Sequence, residues 1–311
     1  MSMPESATLF LARQIARLRA RPRRRIVFPE GSDARVLSAT ARLRAEGLIE
    51  PILIERDSDR YAGLYYERRR AKGITQVEAA AIASKPLYQA ALMVAAGDAD
   101  GAVGGAVNTT AETVRAAIHA IGPRAGVRTI SGVFFMCVAD RTQGYDGVLA
   151  FADCALVVDP CAVEVAEIAI ATAHSTRTII GAEPKVALLS FSTKGSAKHP
   201  YTEKMIEALR ILRERAPELA VDGELQADAA LVAQVGESKS PGSPVAGRAN
   251  TLIFPDLGSA NISYKLVERL GGAQAFGPFL QGLAKPMNDL SRGCSADDIY
   301  GAAIVTALQA Q

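Results

Sequence analysis

The apolar residues of this chain follow two alternating periodicities. Residues 7–20 place apolar side chains at helical spacing, which predicts an amphipathic helix. The short apolar run 26–28 predicts a buried strand, and a helix capped by Ser32 or Asp33 follows it. Residues 51–54 predict a second strand. Strand, helix and strand at this spacing form a βαβ unit, so the chain is predicted to begin with a parallel sheet of the α/β class.

A glycine-rich turn precedes one of the later helices. Residues 99–104 predict a strand that runs into small residues, and Thr109 with Glu112 then forms the sequence pattern of a capping box. The predicted helix carries Arg115 in an early turn. Glycines before a helix N-terminus with an arginine nearby are typical of an anion site. Such turns also serve packing alone in α/β proteins, and both interpretations stay open.

The second half of the chain changes its pattern. Residues 129–138 and 148–152 predict two closely connected strands, which favours antiparallel pairing, and a domain boundary is placed near residue 127. Residues 185–190 predict a further strand that ends in the polar loop 191–198. Ligands bind at the carboxyl ends of strands in α/β sheets, so this loop is a candidate site, although an ordinary polar loop has the same composition.

The stretch from residue 285 to residue 300 concentrates chemistry before the last predicted helix. Arg292 offers a planar set of donors suited to phosphate or to a developing oxyanion. Asp298 is a candidate general base, and Ser291 lies beside the arginine. The pattern Ser295-x-x-Asp298 is also an ordinary helix start, with the serine as N-cap. Spacing alone favours this capping role for Asp298.

Composition narrows the functional class. A chain of 311 residues with 49% hydrophobic and 22% charged residues suggests two globular domains. The net charge of +2 gives no general argument for binding nucleic acid or an acidic membrane, and an arginine run between residues 17 and 25 is interpreted as a helix end. No apolar run has the length of a membrane helix.

The cysteines and histidines bear on compartment and metal binding. The four cysteines form no C-x-x-C pair, which predicts a cytoplasmic protein. The three histidines are scattered, which predicts that the protein has no metal site.

Several longer segments carry a family resemblance. They are KVALLSFSTKGSA (185–197), DGELQAD (222–228), SPGSPVAG (240–247), NTLIFPD (250–256) and QGLAKPMNDLSRGC (281–294). Their order and length resemble the phosphate acetyl/butyryltransferase family over nearly the whole chain. The resemblance implies reversible transfer of an acetyl group between acetyl phosphate and coenzyme A, without a permanently bound cofactor. Coenzyme A is then a substrate, and the chain is expected to form a homodimer.

The resemblance also implies an architecture. It predicts two α/β domains with mainly parallel sheets flanked by helices, arranged as in isocitrate and isopropylmalate dehydrogenases, with the active site in the cleft between them. Domain I is predicted to comprise residues 1–127 and 279–311, so the C-terminal segment completes it. Domain II is predicted to comprise residues 128–278 and to carry the dimer contact.

The family's functional positions fall on particular residues here. The resemblance implies that Asp298 is the catalytic base, that Arg292 stabilises the transition state and that Ser291 assists it. Two substrate-binding arginines fall on Arg69 and Arg115, although Arg68 and Arg70 flank the first and leave its exact identity open. The predicted substrate contacts in the polar loop are Ser192, Thr193 and Lys194.

Alternatives to acetyl transfer remain at this point. The same chemistry could serve a propionyl or butyryl group, because the residues of an acyl pocket are not apparent from the sequence. A metal-dependent hydroxy-acid dehydrogenase has a similar architecture, and Asp222, Asp228 and Asp256 are candidate metal ligands for it. A non-enzymatic ligand-sensing module is the third alternative, and it is disfavoured because Ser291, Arg292 and Asp298 are all present.

Overall fold

The protein is an α/β chain, described in a computed structural model over residues 3–56 and 58–310. The chain divides into two compact units. One comprises Ala12–Gly126 and the chain from Leu283 onward, and we call it the four-stranded unit. The other, the six-stranded unit, comprises the N-terminal residues as far as Leu11 together with Val127–Gly282. The division predicted from the sequence instead grouped residues 1–11, 127 and 279–282 with the four-stranded unit.

The four-stranded unit has an entirely parallel sheet in the order β10-β3-β1-β2. Its strands are β1 (Arg25–Phe28), β2 (Glu50–Leu53), β3 (Gly101–Gly104) and β10 (Met287–Asp289). The C-terminal segment joins this sheet because Met287 pairs with Ala102 and Asp289 pairs with Gly104. The carboxyl ends of all four strands therefore lie at one edge, where ligands bind in sheets of this kind.

Helices surround this sheet. Helix α1 (Glu5–Arg19) contributes residues to both units, and the helices of the four-stranded unit are α2 (Ala34–Ala45), α3 (Ala62–Arg69), α4 (Gln76–Ala83), α5 (Pro86–Ala96), α6 (Thr110–Ala116) and α12 (Ala296–Gln309). A 3-10 turn, Arg70–Lys72, follows α3, and a π-helical segment, Ala117–Ile121, follows α6. Helix α12 has ten consecutive buried residues from Ile299 to Leu308, which makes it the central helix of this unit.

The six-stranded unit has a mixed sheet in the order β7-β6-β8-β5-β4-β9. Its strands are β4 (Ser131–Cys137), β5 (Val148–Ala152), β6 (Lys185–Leu189), β7 (Ala220–Leu225), β8 (Thr251–Ile253) and β9 (Gln274–Gln281). Strand β4 is antiparallel to β5 and β9, and the remaining pairs are parallel. The antiparallel pairing predicted from the short turn is confirmed.

Five helices belong to the six-stranded unit: α7 (Ala162–Ser175), α8 (Pro200–Arg215), α9 (Ala227–Leu231), α10 (Ala233–Lys239) and α11 (Leu257–Arg269). A π-helical segment, Thr176–Ile180, extends α7. Helix α10 continues to Lys239, and the segment rich in glycine, serine and proline follows it. Across the described part of the chain, no helix combines the length and the apolar character needed to cross a membrane.

Candidate active site

The glycine turn after β3 is organised by a buried carboxylate from the end of β1. Glu30 is 7% exposed, and its Oε1 accepts hydrogen bonds from the backbone of Gly105 (2.7 Å) and from Asn108 Nδ2 (2.8 Å). Gly105 adopts a φ of +108°, and a Cβ atom there would collide with the Asp289 carboxylate and the Leu290 backbone. The turn therefore requires glycine so that β10 can end directly beside it.

A pocket of about 580 Å³ opens beside this turn, within the four-stranded unit. Arg115 and Lys85 bring positive charge to it, and Asn108 and Tyr88 bring neutral polar groups. The complete lining is Pro29, Glu30, Ser32, Asp33, Lys85, Pro86, Leu87, Tyr88, Val107, Asn108, Glu112 and Arg115. The three carboxylates of the lining are held by hydrogen bonds: Glu30 by the Gly105 turn, Asp33 by Arg35 and Glu112 by the Thr109 capping box. The two cationic side chains at the carboxyl edge of the parallel sheet therefore favour an anionic substrate.

The structure brings Arg69 and Arg115 together. Burial raises the pKa of Tyr88 to about 12, and the charges of Arg115 and Arg69 both act against that rise. Burial also lowers the pKa of His119, and the two arginines lower it further. Since both guanidinium groups act on the same two neighbours, they form one local region of positive charge at this pocket.

The three consecutive arginines at the end of α3 have different environments. Arg68 donates to the carbonyl of Ile121 at 3.2 Å, and Arg70 pairs with Glu67 at 3.2 Å. Arg69 is half-buried and acts electrostatically on Tyr65 and Tyr88. Of the three, Arg69 is therefore the one whose charge acts on the pocket-lining Tyr88 together with that of Arg115.

The loop before α12 combines a helix start with exposed functional groups. Asp298 Oδ2 accepts hydrogen bonds from the backbone of Ser295 (2.8 Å) and from its Oγ (2.9 Å), and the Asp298 backbone donates to that hydroxyl at 3.1 Å. The predicted capping box is thus confirmed. The box uses Oδ2 and leaves Oδ1 outside it. Arg292 and Ser291 are exposed, and Ser291 Oγ accepts from the backbone of Gly293 at 3.2 Å.

Arg35 connects this loop to the pocket rim. Its guanidinium donates to the carbonyl oxygens of Arg292 (2.9 Å) and Cys294 (3.0 Å) and also to that of Ala106 (2.9 Å). Asp33, which lines the pocket, holds the same guanidinium through both carboxylate oxygens. Arg35 is not among the site residues predicted from the sequence. Its only sequence signal is its place in the first turn of a helix that follows the carboxyl end of β1.

Two other groups beside the loop have perturbed acidities. Burial raises the pKa of Asp289 to about 6, the charge of Glu30 adds to the rise, and hydrogen bonds from Thr110 and Thr113 oppose it. Burial raises the pKa of the Cys294 thiol as well, although the nearby charge of Arg35 acts against this. A buried thiol with a raised pKa is a poor nucleophile, which agrees with a structural role for this cysteine.

The polar loop after β6 lies in the six-stranded unit and uses its hydroxyl groups internally. Ser192 is fully buried, and its Oγ donates to Glu224 at 2.8 Å and accepts from the backbone of Ala197 at 3.0 Å. Thr193 is 6% exposed, and its Oγ1 accepts from the backbone of Gln226 at 2.9 Å. The hydroxyl groups of both residues therefore shape the loop.

Lys194 is the accessible member of the three predicted contacts in this loop. It adopts a φ of +52°, which is unusual for a residue with a side chain, and its ammonium pairs with the buried carboxylate of Asp222. The Lys194 side chain is 37% exposed, and its ammonium also donates to the Gly223 carbonyl at 3.0 Å.

The three carboxylates considered as metal ligands are engaged separately. Asp222 pairs with Lys194, Asp228 pairs with Lys239 at 2.9 Å, and Asp256 accepts the N-cap hydrogen bond of α11. In the part of the chain that the structure describes, no group of three or more histidine, cysteine, aspartate or glutamate side chains could hold a metal ion.

Known proteins resemble this chain along most of its length. The phosphate acetyltransferase of Acetivibrio thermocellus is 45% identical, over 92% of this chain and 94% of that protein. A phosphotransacetylase structure from Streptococcus pyogenes superposes with a TM-score of 0.89 at 42% identity, covering 100% of this chain and 99% of the other. A putative 4-hydroxythreonine-4-phosphate dehydrogenase from Salmonella typhimurium has a TM-score of 0.52 at 13% identity, covering 94% of this chain and 100% of the other, which shows similarity of fold alone.

A family model agrees with these comparisons. The model described as phosphate acetyl/butaryl transferase matches residues 10–60 and 55–307, which together include most of the chain. The glycine turn, Arg69, Arg115 and the loop that carries Ser291, Arg292 and Asp298 all lie within the matched residues. This chain belongs to the phosphate acetyl/butyryl transferase family.

Proposed function

We propose that this chain is a phosphate acetyltransferase, which reversibly transfers an acetyl group between acetyl phosphate and coenzyme A. One observation carries the proposal: Arg115 and Lys85 line a pocket at the carboxyl edge of the parallel sheet, and the charge of Arg69 acts on Tyr88 in the same lining, in a chain 45% identical to a phosphate acetyltransferase. Guanidinium groups bind phosphate oxygens through charge-assisted hydrogen bonds, so this cluster suits an acyl phosphate and the phosphates of coenzyme A.

Asp298 is the proposed base. As the sulfur of coenzyme A attacks the acetyl carbonyl carbon, the thiol proton passes to the Asp298 carboxylate and a carbon–sulfur bond forms. The carbon–oxygen bond to phosphate then breaks, and phosphate leaves with the electron pair and takes up the proton. A thiolate is a far better nucleophile than a thiol, which is why a nearby carboxylate accelerates this step. Asp298 is an exposed residue, and its Oδ1 lies outside the capping box, which supports this role.

Arg292 and Ser291 are proposed to act on the charge that develops during attack. Both side chains are exposed at the start of the same loop as Asp298. A fixed positive charge and a hydroxyl donor stabilise the oxyanion of the tetrahedral intermediate and then the departing phosphate. The two substrates react directly in this scheme, so no acyl-enzyme on Cys294 is needed.

Lys194 is proposed to bind an anionic group of the substrate, while Ser192 and Thr193 keep the loop in shape. The left-handed backbone at Lys194 supports this, because unusual backbone conformations cluster at functional sites. We further propose that the two units are the two catalytic domains of the family, that the protein acts in the cytoplasm and that it requires no permanently bound cofactor.

A homodimer is proposed from the exposed face of α11 and its end. Ile262, Leu266 and Leu270 are 60%, 51% and 82% exposed and recur every fourth residue, which forms an apolar stripe suited to a second copy of the chain. Light scattering of the purified protein tests this. The wild type should have the mass of two chains and a Leu266→Glu variant the mass of one, and a monomeric wild type would reject the proposal.

The decisive experiment is a direct assay. Purified protein with acetyl phosphate and coenzyme A should form the thioester, and it should do so in the presence of a chelator and without a nicotinamide. Parallel reactions with propionyl and butyryl phosphate distinguish the acyl groups, and a preference for butyryl phosphate would contradict the acetyl assignment. Activity that requires a metal and a nicotinamide would instead favour the dehydrogenase alternative.

A further inference from the structure

The Arg35 guanidinium has a complete set of internal partners. Its Nε donates to Asp33 Oδ1 at 3.0 Å, and NH2 donates to Asp33 Oδ2 at 2.8 Å and to the Ala106 carbonyl at 2.9 Å. NH1 donates to the carbonyls of Arg292 at 2.9 Å and Cys294 at 3.0 Å. An arginine side chain has five N–H groups, and these five bonds use all of them.

This pattern distinguishes Arg35 from an arginine that binds substrate. Three of its acceptors are backbone carbonyls on two separate segments, the turn after β3 and the loop before α12. With every donor engaged, no N–H group remains for a phosphate, whereas the exposed Arg292 side chain is available for one. We propose that Arg35 is a positioning residue, which holds the backbone of the Arg292–Cys294 loop against the pocket rim and thereby fixes the direction of the Arg292 side chain.

The local structure explains why the loop needs a positioning residue. Gly293 lies between the two carbonyls that Arg35 binds, and the residues from Ser291 to Gly293 are exposed. A short exposed segment with a glycine at its centre has many backbone conformations of similar energy. Two hydrogen bonds from one rigid guanidinium select a single conformation, because its donors have fixed relative directions. Lysine cannot reproduce this geometry, since its ammonium has three donors on a flexible stem.

Arg25 provides a matched control in the same unit. It lies at the start of β1, and its guanidinium also binds both a carboxylate, Asp100 at 3.0 Å, and a backbone carbonyl, Gly97 at 2.8 Å. Substitution of Arg25 therefore removes a similar set of hydrogen bonds from the amino-terminal edge of the sheet, away from the pocket.

The inference rests on the proposed function and is tested with Arg35→Lys, Arg35→Gln and Arg25→Gln in the full-length protein. Positioning errors of about 1 Å cost about a hundredfold in rate, so Arg35→Lys should lower kcat by about that factor. The KM values for acetyl phosphate and coenzyme A should change by less than about threefold, because no substrate contact is lost. Arg25→Gln should retain the wild-type kcat even if it lowers the melting temperature.

Two further measurements separate positioning from general destabilisation. Hydrogen–deuterium exchange of peptides covering residues 290–298 should be faster in Arg35→Gln than in the wild type and unchanged in Arg25→Gln. If Arg35 acts through Arg292, then adding Arg35→Lys to an Arg292→Lys variant should lower kcat by less than about threefold further, since coupled residues are not additive.

Specific results would overturn the inference. A large rise in either KM at unchanged kcat would make Arg35 a substrate-binding residue, and a full hundredfold loss in the Arg292→Lys background would show that the two arginines act independently. If the wild type forms no acetyl-CoA, the proposed function fails, and the exchange experiment alone then decides. Unchanged hydrogen–deuterium exchange of residues 290–298 in Arg35→Gln would reject the positioning role of Arg35.

Discussion

Replacing Asp289 with asparagine should make the stability of the folded protein less sensitive to a rise in pH. This carboxyl group ends β10, is 3% exposed and has a pKa raised to about 6 by burial and by the charge of Glu30. The ordinary value is 3.8, and one pKa unit corresponds to about 1.4 kcal/mol, so keeping Asp289 ionised in the folded protein costs about 3 kcal/mol.

The sign of the effect follows from the direction of the shift. Below about pH 4 the carboxyl group is protonated in both the folded and the unfolded chain, and it carries no penalty. Above about pH 6 it is ionised in both, and the folded protein then bears the full cost. The stability contributed by Asp289 is therefore present at low pH and lost as the pH rises through about 6.

Urea denaturation followed by circular dichroism from pH 4 to pH 8 measures this dependence. The free energy of unfolding of Asp289→Asn, minus that of the wild type, should rise by about 2.5 kcal/mol between pH 4 and pH 7. Other titrating groups, such as Asp33 with its pKa lowered to about 2 by Arg35, contribute to both proteins and cancel in the difference.

Asp159→Asn is the matched control, because that carboxylate is 76% exposed and forms a surface ion pair with Lys204. The free energy of unfolding of this control should differ from that of the wild type by less than about 1 kcal/mol at every pH. If the free energies of unfolding of Asp289→Asn and the wild type change with pH in parallel, the buried carboxyl group is not held in its acid form. That result would refute the reasoning from burial.

Three further predictions concern the site and its supports. Asp298→Asn should lower kcat by about two to four orders of magnitude in the acetyl-CoA assay. The melting temperature should not change, because the amide oxygen still accepts the capping bonds. Undiminished turnover would remove this residue from the mechanism. Gly105→Ala should destabilise the fold by about 3 kcal/mol or more. The control Gly73→Ala is also at positive φ, but no atom lies within 4 Å of its added Cβ, so it should cost about 1 kcal/mol. Equal losses in the free energy of unfolding, measured in urea, would contradict the collision argument. Lys194→Met should cost about 2 kcal/mol, because Asp222 loses its lysine but keeps Arg213 at 3.3 Å. Adding Asp222→Asn should recover part of the loss; no recovery would mean that the ion pair is not the cause.

Local sequence patterns predicted the local structure of this chain well. The capping boxes at Thr75, Thr109 and Ser295 all form, because each needs only two residues three positions apart. Strand β10 was overlooked because it has only three residues, and they become a strand by pairing with β3, far away in the sequence. The hydrogen bonds that define it come from a partner that no local pattern reveals.

The candidate site divides in the same way. Arg115 was accessible to sequence reasoning because it follows a glycine turn and a capping box. The distinction among Arg68, Arg69 and Arg70 was not. It depends on the fold, which brings one guanidinium to the Ile121 carbonyl, one to Glu67 and the charge of the third near enough to act on Tyr88. Arg35 was missed for a related reason. Its acceptors are carbonyl oxygens, and every residue has one, so only the fold determines which of them an arginine reaches.

The capping box and the proposed base now appear as two uses of one carboxylate. The Ser295 backbone and hydroxyl both bind Oδ2 of Asp298, which satisfies the helix end and fixes the rotamer of the side chain. Oδ1 lies outside this arrangement. Arg35 holds the carbonyls of Arg292 and Cys294, immediately before the same helix start. The helix cap therefore does not compete with catalysis in this arrangement, because the bonds that begin α12 also orient the oxygen that would receive the thiol proton.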